Sequence, residues 1–137
     1  MTSITIDRKD LRPFESVTGR VGWSLETEPH DLELRLCWFT RGHGIEESMS
    51  IASLPLGDSA RGERAFSFEL PDQPWSLNGR LVTIVWALEV VAEKSGALAL
   101  EEIVVAPERR VIELPGIAES RFGDVAAKWA KRMKRDR

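Results

Sequence analysis

Residues 70–92 read LPDQPWSLNGRLVTIVWALEVVA, and the reading of this stretch decides the fold. Its apolar run, Leu81–Ala92, is too short to cross a bilayer, which takes roughly 20 apolar residues, and Glu89 interrupts it. Taken with period two the run resolves. Val82, Ile84, Trp86, Leu88, Val90 and Ala92 fall on one face, while Leu81, Thr83, Val85, Ala87, Glu89 and Val91 make a mixed second face. Side chains alternate across a strand, so one face enters a core while the other meets solvent or a neighbour. The β-branched and aromatic content favours a strand. Asn78-Gly79 supplies a turn just before it, because both residues tolerate positive φ. Pro71 and Pro74 limit regular structure upstream. The stretch therefore predicts a long central strand entered through a fixed turn.

The same alternation recurs along the chain. Leu32, Leu34, Leu36 and Trp38 share a face, as do Val17, Gly19, Val21, Trp23 and Leu25. Phe66, Phe68 and Leu70 form another set, and Ile4 with Ile6 and Met49 with Ile51 form shorter ones. In ALALEEIVVA, Leu98 and Leu100 stand in one phase and Ile103 and Val105 in the other, which places a β-bulge at Glu101-Glu102. Residues 109–114 offer a last short strand. Turn signals fall at Thr27–Pro29, RGHG, LPLGDSARG, Pro71–Gly79, EKSG and Pro107. Short strands at this spacing predict an all-β, antiparallel sandwich, with residues 1–114 as the sandwich domain.

Leu114-Pro115-Gly116 closes the β region, and 115–137 reads as a linker and a basic C-terminal helix. Phe122, Val125, Ala126, Trp129 and Met133 recur at helical spacing, predicting an amphipathic helix over about 124–135. From Glu119 onward seven basic and three acidic residues give a net charge of +4, against −7 for the rest of the 137-residue chain. Phe122, Val125, Trp129, Lys131, Arg132 and Met133 are the candidate partner-contact residues. Such a tail can fold back on its own sheet, enter a groove on a partner protein or second copy, or lie on an anionic membrane surface. The acidic body opposes nucleic acid, so none is expected.

The composition, 42% hydrophobic and 30% charged, is that of an ordinary globular domain. A single cysteine and an N-terminus without an apolar core fit a cytoplasmic location.

The stretch FSFELPDQPWSLNGRLVTIVWALEVVA resembles the arrestin-like β-sandwich family, which belongs with the immunoglobulin-like folds. A strand ending in Leu70-Pro71, a loop with Pro74 and Ser76, Gly79, and a strand carrying Trp86 match the pattern of such domains. VTGRVGW and LELRLCWFT resemble their early paired strands. The family includes arrestins, the arrestin-like subunit of the retromer coat and bacterial sporulation-control proteins. The resemblance implies a scaffold or adaptor rather than an enzyme. Most members pair two sandwiches, whereas this chain has room for one and a tail, and no family binding motif is matched.

The chemical candidates are few. His43 lies near Glu46 and Glu47, but zinc sites draw three or four well-spaced His or Cys ligands, and a solvated hairpin tip is the simpler reading. Ser24 and Ser76 lack the Gly-x-Ser-x-Gly elbow, and Ser76 reads as a hydroxyl bonded to local backbone. Cys37 sits within a strand, packed rather than activated. Glu101 and Glu102 point to opposite faces. No catalytic residue, metal or cofactor is expected. Trp23, Trp38 and Trp86 are expected in the core. His43 and Trp75 are candidate loop contacts. The sequence thus predicts a non-catalytic protein-interaction module, with a small-ligand or carbohydrate-binding sandwich displaying its aromatics as a platform as the alternative.

Overall fold

The alternation in residues 82–92 places this segment at the centre of the larger of two sheets. In a computed structural model, which describes residues 1–42, 47–79, 82–93 and 95–113, ten strands follow one another. They are β1 (Thr2–Ile6), β2 (Asp10–Leu11), β3 (Ser16–Ser24), β4 (Leu32–Gly42) and β5 (Ser48–Gly57), then β6 (Arg61–Glu69), β7 (Leu77–Asn78), β8 (Val82–Ala92), β9 (Gly96–Val105) and β10 (Ile112–Glu113). All regular structure among the described residues is β. The helix expected over 124–135 lies outside the described residues.

The small sheet runs β1-β3-β6, all antiparallel. The large sheet has β8 beside β4, with β5 outside β4. The other edge of β8 is shared: β7 takes Thr83 and Ile84, and β9 takes Trp86 to Ala92. Strand β10 adds to β7, and β2 adds to the far end of β9, both in parallel.

The predicted inner face of β8 is the core. Val82, Ile84, Trp86, Leu88, Val90 and Ala92 are buried, as are Leu32, Leu34, Leu36 and Trp38 of β4. They meet Val17, Val21, Trp23, Phe66 and Phe68 of the small sheet in one continuous cluster. Trp38 and Trp86 are cross-strand partners. A buried indole N–H usually finds an acceptor: Trp86 Nε1 donates to Pro74 O at 2.8 Å, whereas buried Trp38 Nε1 meets no acceptor among the described residues.

Two glycines are required where backbone and ring come too close for a side chain. A Cβ on Gly19 would stand 2.0 Å from Thr5 O, and one on Gly62 would stand 2.4 Å from Cζ2 of Trp23. Trp23 can therefore lie flat over β6, where its Nε1 donates to Ser59 O at 2.9 Å and anchors the turn between the sheets.

Two expectations are corrected. The bulge in β9 is at Leu98, since Val90 pairs with Ala99 and Val91 with Ala97; Glu101 and Glu102 continue the regular ladder. LPLG is not turn but the end of β5, with the turn confined to residues 58–60. Pro55 is tolerated there because β5 is an edge strand and the missing N–H interrupts no ladder. The two-residue strands β2 and β7 are additions.

Candidate interaction surfaces

Most of the residues expected to make contacts fall where nothing is described. Phe122, Val125, Trp129, Lys131, Arg132, Met133 and His43 all lie outside the described residues. Trp75 is half-buried, and its Nε1 donates to Asp72 O at 2.8 Å, bracing the 71–76 loop. It is in part a structural residue.

The outer face of the large sheet is mixed, as the second face of β8 predicted. Ala87 is fully buried there, and Cys37, Phe39, Val85 and Val91 are half-buried. Long charged side chains cover much of the rest. Arg41 lies 5.0 Å from the centre of the Phe39 ring and donates to Glu102 at 3.3 Å. Arg35 donates to Glu33 on the same strand. An open depression of about 440 Å³ is bounded by Arg35, Cys37, Phe39, Ser48, Glu89 and Leu100. Leu100 is 43% exposed at its rim.

A second surface stands at one end of the sandwich, where the chain passes from β2 to β3. Phe14 has φ 69°, a conformation costly for a bulky residue, yet its ring is 65% exposed. The backbone around it is held from several sides. Phe14 N donates to Leu70 O (3.1 Å) and Leu70 N to Glu15 O (2.9 Å). The Glu15 carboxylate accepts from Arg12 N at 2.6 Å and from Arg109 Nη2 at 2.9 Å. The Arg12 backbone N–H first, and the Arg109 guanidinium second, hold the Glu15 carboxyl below its ordinary range. Arg109 itself has φ 61°. Strained backbone persists only where its surroundings over-determine it. Sequence reasoning missed Phe14, since neither its dihedral nor its exposure is written in Pro13-Phe14-Glu15.

The chemical candidates take structural partners. Ser76 is buried, and its hydroxyl accepts from Val105 N at 2.9 Å. The partner is thus a distant strand rather than the local backbone. Ser76 N also donates to Val105 O (2.7 Å), and Ser76 O accepts from Ile112 N (3.1 Å). One residue joins β7, β9 and β10 where the edge of β8 is divided. Glu101 pairs with Lys9 at 3.0 Å and Glu102 with Arg41, on opposite faces. Cys37 Sγ donates to Ala87 O at 3.6 Å. Burial first, and Glu89 second, push its thiol up to about 11, against an opposing pull from Arg35. Such a thiol is protonated at neutral pH and a poor nucleophile. Among the described residues no three His, Cys, Asp or Glu side chains converge as metal ligands would. None holds a helix long and apolar enough to cross a membrane.

The platform alternative loses its main elements: Trp23, Trp38 and Trp86 are 7%, 1% and 0% exposed. They are packed inside and unavailable to stack on a sugar.

With two packed, mainly antiparallel sheets and these surfaces defined, the fold can be matched to known structures. It is similar to that of Spo0M, the sporulation control protein from Bacillus subtilis, with a TM-score of 0.52 and 16% identity. The fold is an arrestin-like β-sandwich. The match covers 77% of this chain and 48% of Spo0M, so this chain spans about half of that protein's length. No protein-family model matches the sequence, and no curated protein sequence does.

Proposed function

We propose that this chain is a non-catalytic protein-interaction or scaffold module of the arrestin-like type. The observation that carries the reading is Phe14. An exposed aromatic held in a fixed position contributes contact area without a large ordering cost on binding, and aromatic residues dominate the energetics of protein interfaces. The hydrogen bonds to Leu70 and the Glu15–Arg109 pair hold the Phe14 turn, so the ring is displayed and not packed. A regulatory module is consistent with the structural likeness to Spo0M, a sporulation control protein. The basic segment from Glu119 onward, with Trp129 at its centre, is a second contact element for a partner protein or for the chain's own acidic body.

The experiment is capture of partners from a lysate of the source cells with three baits: the full chain, Phe14→Ser, and a version ending at Gly116. Specific partners held by the full chain and lost by Phe14→Ser support the reading. Loss only on truncation moves recognition to the tail. Absence of any specific partner with all three baits overturns the interaction-module reading.

A further inference from the structure

The two lateral sides of the sandwich are built differently. On one side the chain leaves β1, which lies beside β9, and crosses between the sheets as β2, pairing with β9. Val104 N donates to Lys9 O at 2.7 Å, and the Lys9–Glu101 ion pair adds to the closure. On the other side, β5 and β6 are the last strands of their sheets. Strand β5 carries Pro55 and two extra residues, Ile51 and Leu56, where its register against β4 shifts. Bulges and proline are devices that spoil an edge for further pairing. Strand β6 has neither. Its nine residues keep unbroken register with β3, and its outer edge has no strand partner among the described residues.

The hydrogen-bonding phase of β6 follows from the bonds at its ends. Leu25 N donates to Ala60 O, and Leu70 N to Glu15 O. Even-numbered residues of this segment therefore turn their backbone groups toward β3. In an antiparallel ladder the alternate residues turn theirs away. Arg61, Glu63, Ala65, Ser67 and Glu69 thus offer N–H and C=O groups outward, with exposed side chains on the outer face of the sheet. Glu63 is already paired with Arg20, whose Nε lies 2.6 Å away. Arg61 and Glu69 take no ion pair among the described residues.

We propose that β6 pairs antiparallel with β6 of a second copy, about a two-fold axis through Ala65. The proposal rests on the interaction-module reading and names one partner for it. In this register Arg61 faces Glu69 of the second copy, and the symmetry repeats the pair at the other end. Glu63 faces Ser67, and Ala65 faces itself. All nine residues overlap, every facing backbone group finds a partner, and the small sheets join as one six-stranded sheet. A shift of two residues toward the C-terminus sets Glu63 against Glu69. Moving the axis to Glu63 sets that carboxylate against itself. Parallel alignment sets Arg61 on Arg61. Of these registers only the full-length one pairs opposite charges, and the two-fold repeats each pair as an isologous interface does.

The test is sedimentation velocity on the full chain from micromolar to submillimolar concentration. A concentration-dependent dimer is expected. Arg61→Glu converts two attractions into two repulsions and weakens the dimer by roughly ten- to a hundredfold; the double variant R61E/E69R restores it. Both positions are exposed, and circular dichroism melts check that the fold survives. A monomer at every concentration, a dimer indifferent to Arg61→Glu, or failure of the double variant to rescue would each overturn the proposal. Partner capture by a monomeric Arg61→Glu chain would leave the interaction-module reading standing. A dimer that captures nothing would sink that reading and leave β6 pairing intact.

Discussion

Ser76→Ala is the sharpest probe of how the divided edge of β8 is held. The hydroxyl accepts from Val105 N at 2.9 Å, and both residues are buried, at 2% and 0% exposure. Alanine removes the acceptor and leaves the donor without water. The backbone bonds from Ser76 to Val105 and Ile112 remain, so the change isolates one hydrogen bond. An orphaned buried N–H costs about 1–3 kcal/mol. For a domain of this size each kcal/mol moves the melting temperature by roughly 3–5 °C, so a fall of about 3–15 °C is expected. Urea unfolding followed by tryptophan emission should show a lower midpoint with an unchanged slope, since the surface exposed on unfolding is the same. Amide exchange gives a local readout: the Val105 N–H should exchange faster relative to the Leu88 N–H, which sits farther along the β8–β9 ladder, away from the division. A variant within about 0.5 kcal/mol of wild type, the range of ordinary surface changes, would refute the claim that the hydroxyl carries Val105. So would an unchanged Val105 exchange rate.

Gly19→Ala sets a Cβ 2.0 Å from Thr5 O and should cost about 3 kcal/mol or more by forcing β1 from β3, whereas Gly22→Ala, 3.6 Å from Ser3 Oγ, should be neutral or slightly stabilising; paired urea titrations check the contrast. Cys37 should alkylate slowly at pH 8 and accelerate only as pH approaches 11, read by mass spectrometry against a free thiol control. Because its folded pKa lies above the unfolded value of 9.0, stability should decline as pH rises from about 9 to 11, and Cys37→Ala should lessen that decline. The Glu15 shift has the opposite sign: the folded pKa is depressed below 4.5, so its contribution is present above that value and is lost as pH falls through the folded pKa. Glu15→Gln should therefore flatten the acid limb of a stability–pH curve.

The large features were legible because one physical rule governs them. A strand buried on one face must alternate, and β3, β4 and β8 do so over nine to eleven residues. Trp23, Trp38 and Trp86 fell in the apolar phase and are in the core. What the pattern could not fix was position along a phase slip. Leu98, Leu100, Ile103 and Val105 suggest one slip at Glu101-Glu102, but with the bulge at Leu98 it is Leu100 that stands opposite Glu89 on the outer face, while Ile103 and Val105 turn inward. Glu101 itself takes the inward phase opposite Leu88, and it is stable there because it lies at the rim, where Lys9 reaches it. Proline misled at Pro55 for a similar reason: its effect depends on whether the strand is an edge, a property of the sheet. Ser76 was rightly given a structural hydroxyl, but its partner lies 29 residues away, and only topology brings β9 there. Phe14 left no trace, since a left-handed turn on a phenylalanine is imposed by Leu70, Arg12 and Arg109 together.

The outer faces of the two sheets bear differently on where a partner can attach. The small sheet turns Ser3, Thr5, Ser16, Arg20, Glu63 and Ser67 outward, all exposed. Such a face is well hydrated, and burying it against another surface would cost the desolvation of hydroxyls and charges for little apolar gain. Its means of binding is the backbone along an edge, where the donors and acceptors of β6 face outward. The large sheet has the reverse balance. Val85, Ala87, Cys37 and Phe39 form an apolar strip, but the arginine stems and the Arg41–Glu102 pair lie across part of it, as long charged side chains do over apolar surface. A partner there must displace or incorporate those ion pairs, which being exposed contribute only about 0–1 kcal/mol each. The face is therefore inexpensive to open while remaining soluble when free. Edge pairing through β6 leaves this face and the Phe14 end uncovered by the strand ladder itself, so self-association and partner capture are compatible in one molecule.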